Sequence, residues 1–105
     1  MIDVNKQIKI VVKTGKIDFG CEEAVDAARA GKAKLIILAS NCPENYRKQI
    51  LVNARLSQIP VHTYTGTSLD LATACEKPFV VAAVTVKEPG DSEILKLAEA
   101  ENVNA

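Results

Sequence analysis

Cys21, Cys42, Cys75 and His62 are the residues of this chain best equipped for nucleophilic or metal chemistry. Cys21 and Cys42 each stand just ahead of an expected helix start, where the helix dipole can depress a thiol pKa. Their spacing completes no device. A phosphate-binding cysteine loop needs an arginine at a fixed distance, and Cys42 to Arg47 and Cys21 to Arg29, with four and seven intervening residues, both miss it. There is no Cys-x-x-Cys pair, and three cysteines spaced 21 and 33 apart form neither a disulfide framework nor a zinc site. His62 is the only histidine and falls inside a strand pattern. Glycine-rich dinucleotide, Walker and nucleophile-elbow motifs are missing from the sequence. Glu22 and Glu23 are adjacent acids, but neighbouring helix positions point about 100° apart, and first-turn carboxylates serve the dipole. No catalytic residue, metal or cofactor is expected, and the cysteines are assigned to packing.

Recognition chemistry is better served. Asn41 follows a buried strand, and its amide can both donate and accept, as reading a base edge requires. Arg47 and Lys48 follow within two turns of the same helix, in reach of phosphate. Gly20 permits close backbone approach, and the helix it opens turns N–H groups toward an anion. Phe79, at a loop-to-strand junction, offers a stacking or apolar contact. Each has a plain structural reading as cap, solvated face, turn or core. Their convergence on one edge of a fold would set the group apart.

The elements that must bring them together are legible from periodicity. Val4, Ile8, Val11 and Val12 make a first helix, which Asp3 can cap and Gly15 ends. Lys16–Phe19 is a short strand, Glu22–Ala30 a helix stopped by Gly31, and Leu35–Ala39 an apolar run fit for a strand covered on both faces. Asn41-Cys42-Pro43 starts a third helix, ended by Pro60. Val61–Tyr64 is a third strand, Thr67 or Ser68 caps a short helix through Ala74, Phe79–Val86 is a fourth strand, and a last helix starts at Glu93. Helices alternating with strands predict an α/β fold, a three-layer α/β/α sandwich on a four-stranded central sheet. Ligands of such folds gather where loops leave one sheet edge. Those loops are Gly20-Cys21, Ser40–Pro43, Gly66–Ser68 and Lys77-Pro78-Phe79.

Composition narrows the class of function. The 105 residues suit one domain spanning 1–105. With 48% hydrophobic residues but only 4% aromatic and no Trp, the core must be aliphatic. No apolar run approaches the ~20 residues of a membrane span, and the N-terminus lacks a signal-peptide layout, so a cytoplasmic chain without membrane contact is expected. Thirteen basic and thirteen acidic residues cancel, which excludes a protein that coats nucleic acid through bulk charge. Residues 1–86 carry eleven cations against eight acids, and the remainder two against five. Such a body can bind an anion only with placed groups. Two classes stay open on these grounds, an RNA-binding protein and a small cytoplasmic enzyme or phosphate-handling module.

Five segments in order, TGKIDFG (14–20), GKAKLIILASNCP (31–43), ARLS (54–57), GTSLDL (66–71) and EPGDS (88–92), resemble the L-thirty-e family of large-subunit ribosomal proteins over residues 3 to 96. The short chain without an extension resembles the archaeal type. The resemblance implies the α/β/α sandwich, membership of the superfamily that recognises kink-turn RNA, and a non-enzymatic role. It implies ribosomal RNA and neighbouring large-subunit proteins as partners, a monomer when free, and the cytoplasmic ribosome as its place. Carried over, Gly20 lets the backbone approach the RNA with Cys21 and Glu22 beside it. Asn41 meets a guanine edge, Arg47 and Lys48 meet phosphates, and Lys77, Pro78 and Phe79 lie against an extruded base. The sequence departs from the family at Glu22, usually a basic or polar position, at its neighbour Glu23, and at Glu76, where glycine is common.

Overall fold

The computed structural model describes residues 4–90 and Ile94, and in these residues helices and strands alternate throughout. The order is α1 (Val4–Thr14), β1 (Lys16–Phe19), α2 (Cys21–Ala30), β2 (Leu35–Leu38), α3 (Glu44–Leu56), β3 (Val61–Thr63), α4 (Ser68–Ala74) and β4 (Ala83–Glu88). The Asp3 cap and the helix from Glu93 lie outside the described residues. No helix among the described residues is long and apolar enough to cross a membrane.

The two-residue period of a strand sorts the apolar run of β2 into two layers. Leu35 and Ile37 pack with Ile8 and Val11 of α1 and with Leu71, Ala72 and Ala74 of α4. Ile36 and Leu38 pack with Ala24, Val25 and Ala28 of α2 and with Ile50 and Ala54 of α3. All four side chains of β2 are buried, and each stabilises the fold by about 1.5–3 kcal/mol. The three-layer α/β/α sandwich is thereby borne out, with an aliphatic core.

The sheet order is β1-β4-β2-β3. Only β2 and β3 pair in parallel, whereas β4 runs antiparallel to both β1 and β2. It follows that β1, β2 and β3 all end, and β4 begins, at one edge. The loops singled out from the sequence therefore share that edge.

Strand β4 corrects one boundary. It starts at Ala83, not at Phe79. Phe79 and Val80 are apolar but 51% and 64% exposed, and the amide of Val81 bonds to the carbonyl of Ser68, 3.1 Å away, rather than to a strand. A run of apolar residues reports preference for burial, not the presence of a ladder partner.

Three helices end in the same way. Residues 31, 58 and 76 take left-handed backbone, with φ of 68°, 59° and 58°. In each case the next amide reaches back into the last turn, Lys32 to Ala27, Ile59 to Ala54 and Lys77 to Ala72, at 2.8–3.0 Å. Only the first of these positions is glycine. At Glu76 the left-handed region costs a side chain about 1–2 kcal/mol, offset in part by the ~0.5–1 kcal/mol that glycine loses in chain entropy. Glu76→Gly is therefore expected to stabilise the protein by up to about 1 kcal/mol, read as a melting temperature raised by a few degrees. A lowered midpoint would contradict this account of the α4 terminus.

Candidate nucleic-acid interface

The loop edge is knitted together through the backbone. The Gly20 amide donates to the Ala83 carbonyl at 2.9 Å, Ala39 to Ala82 at 2.8 Å and Ser40 to Gly66 at 3.0 Å. These bonds, with that from Val81 to Ser68, tie the first three loops to one another or to residues 81–83, the segment that follows the fourth. Gly20, Cys21, Glu22, Asn41, Lys77, Pro78 and Phe79 are all carried by this edge or by the first turn beyond it.

Gly20 has φ 115° and ψ 155°, a region that is essentially glycine's alone. A Cβ built there would meet nothing within 4 Å. Its backbone thus faces open space, as close approach by a ligand requires. Beyond it lies a recess of about 390 Å³ lined by Phe19, Gly20, Cys21, Glu22, Glu23 and Tyr46. The Tyr46 hydroxyl, from the first turn of α3, donates to Glu22 Oε1 at 3.3 Å. The neighbouring carboxylate holds the Tyr46 phenol above its usual range. Glu22 is thereby held at the mouth of the recess.

Asn41 does not cap its own helix. Pro43 takes the N-cap position of α3 without a side-chain bond, whereas Asn41 Oδ1 accepts from the Ser68 amide at the start of α4, at 2.7 Å. Thr67 and Asp70 complete that helix start with a reciprocal capping box. The carbonyl half of the Asn41 amide thus faces the protein. Asn41 is exposed, and its Nδ2 hydrogens remain for a ligand.

The cations are less uniform than the sequence suggests. Lys48 is exposed and Arg47 half-buried on the first turns of α3. Lys77 lies with its ammonium 5.0 Å from the centre of the Phe19 ring, and Phe19 in turn meets Phe79 edge to face, with centroids 6.3 Å apart and planes at 84°. Phe19 was legible only as a strand residue. Its place immediately before Gly20, at the end of β1, is the signal that could have added it. Leu69 and Val80, each 64% exposed, carry no sequence signal that separates them from core residues. The Val81–Ser68 bond brings their segments together beside Phe79, so the edge presents an apolar strip next to its polar groups.

The thiols pack into the layers of the fold, and burial makes them sluggish rather than activated nucleophiles. Cys42 and Cys75 are buried and Cys21 half-buried. Burial pushes Cys42 up to about 12, with Cys21 adding to the effect and Arg47 opposing it. Burial likewise pushes Cys75 up to about 11 and raises Cys21. One feature escaped the sequence reading entirely: Cys21 Sγ and Cys42 Sγ are 4.0 Å apart. Residues 21 positions apart carry no signal of adjacency until the two loops are placed on one edge. Among the described residues no group of three His, Cys, Asp or Glu side chains is placed to hold a metal.

The model of the ribosomal protein L7Ae/L30e/S12e/Gadd45 family matches residues 2–96. The chain belongs to this family. Among its relatives, large ribosomal subunit protein eL30 of Methanothermobacter thermautotrophicus is 41% identical over 96 residues, covering 91% of this chain and 98% of that one. The eL30 protein of Methanosarcina mazei is 43% identical over 94 residues, covering 90% and 87%. A solved structure of a Bacillus halodurans C protein of unknown function superposes with a TM-score of 0.79 at 25% identity, over 96% of this chain and 100% of that chain. Membership in the L7Ae/L30e/S12e/Gadd45 family bears out the resemblance read from the five segments, and with it a non-enzymatic, ribosomal type of protein.

Proposed function

We propose that this chain is a structural component of the large ribosomal subunit, a single RNA-binding domain spanning residues 1–105 that holds a kink-turn of ribosomal RNA at its loop edge. Free, it is a monomer in the cytoplasm; assembled, its partners are ribosomal RNA and neighbouring large-subunit proteins. The observation that carries this reading is the meeting, on one edge, of three kinds of contact. The open backbone at Gly20 admits a phosphate–sugar chain, Asn41 offers amide hydrogens to a base edge, and Phe79 with Pro78 offers a surface to an extruded base. Arg47 and Lys48 supply phosphate contacts, while Cys21 and Lys77 line the margins. A phosphate-handling enzyme would need a lowered thiol or a paired base, and the thiols here are raised.

Few cations face the edge, so few counterions are released on binding. The slope of log affinity against log salt is expected to be shallow, roughly −2 to −4. Measuring it with a kink-turn RNA and a control hairpin tests the reading directly. A slope near −8, or equal affinity for both RNAs, would sink it. Glu23→Lys is expected to raise affinity, most at low salt where screening is weakest. Glu22→Gln is expected to do the opposite, lowering kink-turn affinity while leaving non-specific RNA unaffected, because Tyr46 holds this carboxylate where it can accept from a base amino group. A rise with Glu22→Gln would reduce Glu22 to a repulsive neighbour of the phosphates.

A further inference from the structure

Of the two thiols that the interface brings together, Cys21 lines the margin of the proposed RNA site and Cys42 lies behind it, and recognition as proposed above uses the chemistry of neither. Cys21 opens α2 and lines the 390 Å³ recess, while Cys42 is 7% exposed and lies directly behind it, sulfur to sulfur at 4.0 Å. Cys75 belongs to the opposite layer, in the cluster with α1 and α4. The layout is that of an accessible thiol with a resolving thiol at its back. From this geometry we infer that Cys21 and Cys42 form a redox-modification site, taking up an intramolecular disulfide from low-molecular-weight disulfides, and that the bridged form binds RNA more weakly.

The exchange balances without any further reactant. Cys21 loses its proton and attacks one sulfur of a small disulfide R–S–S–R. A mixed disulfide Cys21–S–S–R forms, and one R–S⁻ leaves and takes up the proton. Cys42 then loses its proton and attacks Cys21 Sγ; the Cys21–Cys42 bond forms as the second R–SH departs. The protein pair is oxidised by two electrons and the reagent is reduced to two thiols. Exchange proceeds through the thiolate. With both thiols raised by burial, the reaction is slow at neutral pH and quickens as pH rises. Reversal is equally reluctant, because a thiol of high pKa leaves poorly.

The effect on RNA follows from what must move. A disulfide brings its sulfurs to about 2.05 Å, which asks for about 2 Å of approach from the present separation. On the Cys21 side Gly20 is tied to Ala83 and the chain has already entered α2. On the other side Ser40 is tied to Gly66, Cys42 to Ala39 and Asn41 to Ser68, so closing the bridge strains this network, and Asn41, next to Cys42, is displaced with it. Binding constellations tolerate displacements of about 0.5 Å.

This inference rests on the proposed function for its RNA consequence, but not for the bridge itself. The full-length chain is incubated with oxidised glutathione at pH 8, alkylated under denaturing conditions and mapped without reduction. The expected map shows the Cys21 and Cys42 peptides joined, Cys75 alone alkylated, no dimer, and full reversal by dithiothreitol. Cys42→Ser is expected to stop at a glutathione adduct on Cys21. Alkylation of both Cys21 and Cys42 in the parent, a persistent glutathione adduct in place of the bridge, or linkage through Cys75 would overturn the site. Kink-turn affinity is then compared between bridged and reduced protein. A loss of about tenfold on bridging, the size of one base contact, is expected, and equal affinity would overturn the coupling. Failure of the reduced protein to bind RNA would instead count against the proposed function and leave the peptide map to decide the bridge.

Discussion

Asn41→Ala is expected to weaken binding of kink-turn RNA by about 1–3 kcal/mol, the worth of a good base contact, while the protein still folds. The substitution removes two things at once. It deletes the amide hydrogens that face the ligand, and it strands the Ser68 amide, whose N–H loses the Asn41 Oδ1 acceptor 2.7 Å away. Loss of a capping acceptor costs about 0.5–2 kcal/mol of stability. Asn41→Asp separates the two. A carboxylate keeps the acceptor for Ser68 and suits a helix start, but has no hydrogens to give a base. The Asp variant should therefore melt at or above the parent temperature and bind as poorly as the Ala variant. Parental affinity in the Asp variant would remove Asn41 from the interface.

Gly20→Ala is the second large effect. The backbone there lies at φ 115°, and holding a side chain in this region costs about 1–3 kcal/mol. Because the added methyl meets no protein atom within 4 Å, the loss in stability arises from conformation rather than from a clash. The same methyl stands where an approaching RNA backbone would lie. Chemical denaturation is expected to show the strain, and RNA titration well below the unfolding midpoint is expected to show a further loss of tenfold or more. Unchanged stability would mean that the loop relaxes, and unchanged affinity that RNA does not approach Gly20.

Much of the fold was legible because its signals are local. The run at 35–38, the glycine stop at 31 and the capping residues around Thr67 each act within a few residues, and each element formed close to where its pattern placed it. The start of β4 was misread because Phe79 and Val80 mimic a buried strand while lying exposed against the beginning of α4. The position of β4 between β1 and β2 was not legible either, since pairing between strands is decided by the whole chain. The same limit explains the site. Gly20, Asn41 and the Lys77–Phe79 segment were visible as residue types at loop positions. The partner of Asn41 in α4, the stacking of Lys77 on Phe19 and the nearness of Cys21 to Cys42 depend on contacts across the edge that no spacing records.

The backbone bonds that lace the loop edge also bear on how the protein meets a partner. The amides of Gly20, Ala39, Ser40 and Val81 each donate across the edge to another loop or element, so none can be released without parting the surface. In solvent deuterium they should exchange only when the sheet itself opens, far more slowly than ordinary surface-loop amides. A surface so tied arrives at its ligand already shaped, with little ordering entropy left to lose on association. Any folding coupled to recognition then falls to the RNA, whose bend must conform to a rigid template.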